Sequence, residues 1–250
     1  MENNNRIRNF LKFIENKRGY RTPLSYKLLY EPETITDEDL NIKGGLNLSG
    51  KKIQFLPDNL TIVKYLNISD TSIIKLPNNL TVGDNFYLNN TNIQSLPDDL
   101  NFGGGLYMSN TNIQSLPNKL TINGDLDVAY TKIQILPDNL IVKGYLILNG
   151  SNIQSLPNNL NVGDFLSISN TNIQSLPDNL IVGDLYCKNS NIQSLPDNLD
   201  IGNLDLTNTK IQSLPNNLNV DHDLNLTNTN IELLPNDLNV RGHIIGYNGK

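Results

Sequence analysis

Apolar and polar positions alternate in a fixed order along most of the chain. In the unit Leu156–Ser175 the apolar set is Leu166, Ile168 and Ile173, followed by Leu176 of the next unit. The alternation at Leu166 and Ile168 predicts a short strand with two side chains pointing inward. Thr171 is the next inward position. Gly163-Asp164 supplies the turn into the strand. Pro177 cannot donate to a ladder, so the return path is extended or a loose turn. The pair Leu-Pro begins at positions 56, 76, 96, 116, 136, 156, 176, 195, 214 and 234, and holds ten of the 12 prolines. Such regularity marks an internal repeat. A 20-residue unit leaves no room for a helix, so each should be one strand plus extended or 3₁₀ return segments. No unit can bury its own apolar side, and stability must come from stacking. Ten or eleven strands spaced ~4.8 Å apart give a parallel sheet on the order of 50 Å long. Two units of 19 residues lack one residue before Leu185 and Leu204, where a change of curvature is expected.

The unit reads L-x-L/I-x-x-T-x-I-x-x-L-P-x-x-L, and over residues 40 to 245 it resembles the leucine-rich repeat family, in particular its short bacterial and phage-type repeats. The resemblance implies a repeat solenoid with a parallel β-sheet on the concave face, and a non-catalytic protein-binding scaffold. It also suggests a bacterial or phage modulator of a host protein. One departure is systematic: where the family carries an Asn ladder, this chain has Thr71, Thr91, Thr111, Thr131, Ser151, Thr171, Ser190, Thr209 and Thr229. Their hydroxyls are expected to bond backbone groups of the neighbouring loop.

The ends differ from the array. Residues 1–40 read as a basic helical N-terminal cap and linker, and residues 41–250 as the array. Ile7, Phe10, Leu11 and Ile14 fall at helical spacing, predicting an amphipathic helix over 6–17. Residues 18–40 read as a linker with a turn near Pro32. The first 30 residues carry seven Lys/Arg against two Glu, a charge of +5; with −6 overall, the other 220 carry −11. At the far end no cap is visible after Ile244, Ile245 and Tyr247. An open edge there, beside Leu234, Leu238 and Val240, invites self-association or an assembly role.

Composition narrows the functions. Charged residues are 18% of the chain, against ~25% in an ordinary globular protein, and 43 residues are Asn, which suits turns and side-chain ladders. Net acidity argues against nucleic acid as a partner. No apolar run reaches the length of a signal sequence or membrane span, so no membrane partner is expected. A cytoplasmic location follows, or export as an effector or virion component without a cleaved signal. The single Cys187 sits at an inward position and reads as an inert buried thiol. His222 and His243 have no spacing relation that would make a metal site or triad. No phosphate loop is present, and no cofactor or metal is expected.

The outward strand positions line the concave face in two columns. One holds Asn47, Asn67, Tyr87, Tyr107, Asp127, Ile147, Ser167, Tyr186, Asp205, Asn225 and Ile245. The other holds Gly45, Tyr65, Asn85, Gly105, Asp125, Tyr145, Phe165, Asp184, Asn203, Asp223 and His243. Five of the ten tyrosines fall on this surface. Tyr65, Tyr87, Tyr107, Tyr145 and Tyr186, with Ile147 and Phe165, form an aromatic stripe suited to anchoring a protein partner. Strand propensity alone could also place Tyr there. Asp125, Asp127, Asp184 and Asp205 turn the face acidic and favour a basic partner. The recurring Asn-Thr-Asn, as at Asn90-Thr91-Asn92 and Asn110-Thr111-Asn112, is a regular array of hydroxyls and amides that also admits ice binding as a minor alternative, tested by thermal hysteresis.

Overall fold

The computed structural model describes residues 7–13, 21–118, 120–138 and 140–247. Among them an eleven-stranded parallel sheet runs the length of the array, one short strand per unit, from Leu46–Asn47 to Ile244–Ile245. Leu46, Leu66, Phe86, Leu106, Leu126 and Leu146 pair in one row. The row continues through Leu166, Leu185, Leu204, Leu224 and Ile244. Each strand donates to the next: Leu126 N–H to the Tyr145 carbonyl at 2.8 Å, Val128 N–H to Ile147 at 3.0 Å. Backbone groups are thereby satisfied between units while the Leu and Ile side chains stack inside. Leu126, Val128, Ile133, Leu146, Leu148 and Ile153 are fully buried. The architecture is a parallel β-solenoid whose core is one continuous apolar column.

Each unit holds more strand than the repeat pattern suggested. After the Leu-Pro turn a second two-residue strand forms, as at Thr61–Ile62 and Thr81–Val82, and its bonds run the other way: Gly83 N–H reaches back to the Ile62 carbonyl at 2.7 Å. This second ribbon comes in runs of four, three and three strands. Between the last two runs only the bridge Asn161–Ile181 remains. The first short unit begins there. In the main sheet Phe165–Ser167 and Asp184–Tyr186 pair over three residues, with Asp184 opposite Phe165. The missing residue is thus taken out of the turn, and strand pairing is rearranged beside it.

The Asn excess has a structural account. Asn90, Asn110, Asn170, Asn189, Asn208 and Asn228 close the turn after the strand with φ of 56–58°. Asn tolerates this left-handed region better than most residues. Its amide also links units: Asn189 Nδ2 donates to Asn170 Oδ1 at 3.1 Å, Asn208 to Asn189 at 2.8 Å, Asn228 to Asn208 at 2.9 Å. A second ladder follows the Leu-Pro pairs, with Asn79 donating to Asn59 and Asn217 to Asn198.

The Thr column behaves differently from expectation. Thr71, Thr91, Thr111, Thr131, Thr171, Thr209 and Thr229 donate to carbonyls three residues back in their own unit, at 2.6–2.9 Å. The hydroxyl is short, and the carbonyl of its own turn is the acceptor within reach. These seven Thr hydroxyls therefore close their own turns and do not connect units. Thr91, Thr111, Thr131, Thr171 and Thr209 are 2–4% exposed. They offer no hydroxyl array to solvent.

The N-terminal end is built from residues the repeat pattern had assigned to a linker. Helix Leu24–Tyr30 buries Leu24 and Leu28 on the apolar column. Two 3₁₀ turns, Pro32–Thr34 and Asp37–Leu40, lead into the first strand. Lys27 Nζ donates to Asp39 Oδ2 at 2.7 Å and to the Thr34 carbonyl, and the Thr36 N–H bonds the same carboxylate at 2.9 Å. Residues 7–13 are helical. Arg8 pairs with Glu31 at 2.6 Å. Leu11 is half-buried, whereas Ile7 and Phe10 are exposed. Residues 6 and 14–17 of the expected helix lie outside the described residues.

Candidate functional site

The concave face carries the two outward columns in the order read from the repeats. Asn47, Asn67, Tyr87, Tyr107, Asp127 and Ile147 are register partners in sequence, followed by Ser167, Tyr186, Asp205, Asn225 and Ile245. Alternation across the strand forces these side chains away from the core.

The rings pack on one another. Tyr87 and Tyr107 stack with centroids 4.6 Å apart and planes 12° from parallel. Tyr145 and Phe165 stack at 4.8 Å and 15°, and Tyr186 meets Phe165 edge-on at 5.6 Å. All five are half-buried, and Tyr65 is the exposed one of the stripe at 39%. Two glycines leave room for rings on this face. A Cβ at Gly45 would collide with the Tyr65 ring, and one at Gly105 would come within 2.9 Å of the Tyr107 ring and hydroxyl. The rings therefore lie across the sheet, and packing between them accounts for part of the aromatic content.

Carboxylates are interleaved with the rings. Tyr107 Oη donates to Asp125 Oδ2 at 2.7 Å, and Tyr145 N–H to Asp125 Oδ1 at 3.2 Å. Burial, together with that carboxylate, pushes the Tyr107 phenol well above the usual tyrosine range. Tyr145 is raised by burial and by the Asp125 charge, and Tyr186 by burial and by Asp184, whose Oδ2 accepts its hydroxyl at 3.2 Å. Asp127 accepts the Ala129 N–H at 3.0 Å, and burial raises its carboxyl. Asp205 accepts the Thr207 N–H and hydroxyl. Each carboxylate is thus held by neutral donors. The surface is aromatic and negative, with its carboxylate acceptors hydrogen-bonded to neighbouring groups.

Other residues singled out in the sequence lie apart from the aromatic stripe. Cys187 is fully buried, and burial drives its thiol far above the ordinary range, which disfavours the thiolate. His243 bonds Asp223 at 3.2 Å at the far end of the sheet. Its backbone N–H and ring hold the Asp223 carboxyl below the usual range. Among the described residues no group of three acidic, His or Cys side chains is placed to hold a metal ion, and no helix is long and apolar enough to cross a membrane. The C-terminal edge presents Ile244 and Ile245 at 39% and 43% exposure. Tyr247 folds back onto the apolar column, its hydroxyl bonding the Glu232 carbonyl at 3.0 Å.

Comparison with solved structures finds one that shares this fold and two weaker alignments. A chain of the Drosophila Toll–Spatzle complex matches with a TM-score of 0.57 and 18% identity, over 77% of this chain and 33% of that one. The present chain therefore spans about a third of its length. The leucine-rich effector protein YopM from Yersinia pestis aligns at a TM-score of 0.41 and 18% identity, over 75% of this chain and 65% of that one. YopM from Yersinia enterocolitica aligns at 0.30 and 16%, over 96% and 74%. No family model and no curated protein matches the sequence. In fold the chain is a leucine-rich-repeat solenoid, with the parallel sheet and units of about 20 residues that define that architecture.

Proposed function

We propose that the protein is a non-catalytic scaffold that binds a protein partner on its concave sheet, over the stripe from Tyr87 to Tyr186. The observation that carries this reading is the pre-packed cluster of Tyr87, Tyr107, Tyr145, Phe165 and Tyr186, fixed on a sheet and flanked by carboxylates. Rings already immobilised lose little entropy on binding, and aromatic anchors ringed by polar groups dominate interface energies. The test is capture of partners by wild type beside a Tyr87→Ala/Tyr107→Ala/Tyr186→Ala variant whose fold is checked by circular dichroism. A specific partner retained by wild type and lost by the variant supports the reading; equal capture by both moves the site elsewhere.

A second reading is assembly through the C-terminal edge. It is favoured by the exposure of Ile244 and Ile245 and by the partial exposure of Leu234, Leu238 and Val240, whose counterparts Leu214, Leu218 and Val220 are buried. Sedimentation at tens of micromolar tests it: an Ile245→Lys variant should shift a self-associating species to monomer, and a monomeric wild type rejects self-association.

A further inference from the structure

Neither outward column of the concave sheet holds a lysine or arginine, while five aspartates stand on it. Among the described residues none of Asp125, Asp127, Asp184 or Asp205 forms an ion pair. The charges are held by N–H and O–H donors and remain uncompensated. Asp127 has the most distinctive setting. Its register partners are Tyr107 on one side and Ile147 on the other. It therefore sits on the midline of the stripe, between the stacked pair Tyr87–Tyr107 and the group containing Tyr145 and Phe165.

A long cationic side chain matches this setting part by part. Its charged head would compensate Asp127, its methylene stem would cover Ile147, and the Tyr107 and Tyr145 rings would offer cation–π contact. A carboxylate already raised by partial burial gains more from a desolvated cation than one in water. A neutral or acidic guest would instead bury Asp127 against apolar surface or against like charge, which is costly.

We propose that Asp127 determines specificity on the concave face by receiving a lysine or arginine side chain of an extended segment of the protein partner, with Tyr107 and Ile147 as its walls. This inference rests on the concave-face reading above. The probe is a random-peptide display library selected on the immobilised full chain, with enriched peptides then measured on wild type and folded variants. The expected result is basic peptides that lose binding on the Tyr107→Ala/Tyr186→Ala variant and weaken by about tenfold on Asp127→Asn. They should stay within about twofold on Asp223→Asn, which removes a carboxylate bonded to His243 at the far end of the face and reports general acidity. Replacing the peptide's Lys or Arg by Gln should reproduce the Asp127→Asn loss. Peptides that need the tyrosines but carry no cation, or ignore Asp127→Asn, overturn the inference and leave the concave-face reading standing. Equal losses on Asp127→Asn and Asp223→Asn overturn it too, as general electrostatics. Peptides indifferent to the tyrosines overturn both.

Discussion

The two sides of one strand obey different rules. Over the ten units from Leu46 to Leu224 the inward position is Leu in nine and Phe86 in the other, whereas the outward position beside it takes five residue types from Asn47 to Asn225. Packing explains the uniform side. Each inward residue fills the same volume between two copies of itself, and a change of even one methylene is felt on both sides. The outward side has no such constraint, so its departures from regularity carry what is particular to this chain. The sharpest break of this contrast is to truncate neighbours on the same strand. Leu146→Ala, at a fully buried site, should cost ~2–5 kcal/mol. Ile147→Ala, half-buried on the concave face, should cost about 1 kcal/mol or less. Urea melts of both variants decide it; equal costs would mean that the concave face is structural surface.

The same contrast explains what was legible in the sequence. The repeat, the strand positions, the inward rows and the order of the two outward columns follow from Leu-Pro spacing and alternation, because a solenoid copies one unit's geometry to the next. Three features were hidden. The cap at Leu24–Tyr30 is one short helix with two inward leucines, too brief to show periodicity; Pro23 before it and Thr36 three residues ahead of Asp39 were its only punctuation. The direction of the Thr71–Thr229 hydroxyl bonds depends on side-chain reach, which spacing does not encode. The Tyr65 and Tyr107 rings occupy space that a side chain at Gly45 and at Gly105 would fill, one a relation between neighbouring units and the other between neighbours on one strand, and neither is marked by the repeat pattern.

The cap extends the contrast to a region without repeats, where a largely buried ion pair adds to the packing of Leu24 and Leu28. Lys27 and Asp39 side chains are 12% and 5% exposed. Burial works to raise the Asp39 carboxyl, but Lys27 and the Thr36 N–H and hydroxyl outweigh it and hold it below the usual range. Asp39→Asn should cost ~1.5–3 kcal/mol at neutral pH. Because the folded value lies below the unfolded one, this contribution is present above the ordinary carboxylate pKa of ~3.9 and is lost as pH falls through the folded value. Melting temperature against pH should therefore fall more steeply in acid for wild type than for Asp39→Asn. Parallel curves would show that the pair adds nothing beyond its packing.

Within the buried hydroxyl column the comparison can be made finer. Thr131 Oγ1 bonds the Val128 carbonyl at 2.7 Å, so Thr131→Val should cost about 1 kcal/mol. Ser151 and Ser190 hydroxyls are buried without a partner among the described residues. Ser151→Ala should be neutral or slightly stabilising, since it removes an unsatisfied polar group. Denaturant midpoints for the two variants test whether the column is held by its hydrogen bonds or by its shape; a cost for Ser151→Ala as large as that for Thr131→Val would favour shape.

The smallest expected effect bears on whether the outward side is shaped by stability at all. Burial raises the Asp127 carboxyl, so its folded value lies above its unfolded one. The charged form is then the less stable in the folded protein. This cost grows as pH rises through the folded value and vanishes in acid, where the group is protonated in both states. Asp127→Asn should accordingly raise the melting temperature slightly at pH 7 and leave it unchanged near pH 3. That result would show that the carboxylate is not held there by its contribution to stability, and would agree with the proposed contact with a partner's cation. If Asp127→Asn instead lowers the melting temperature at pH 7, the carboxylate is stabilising its own turn through the Ala129 N–H, and its place on the concave face is explained without any partner.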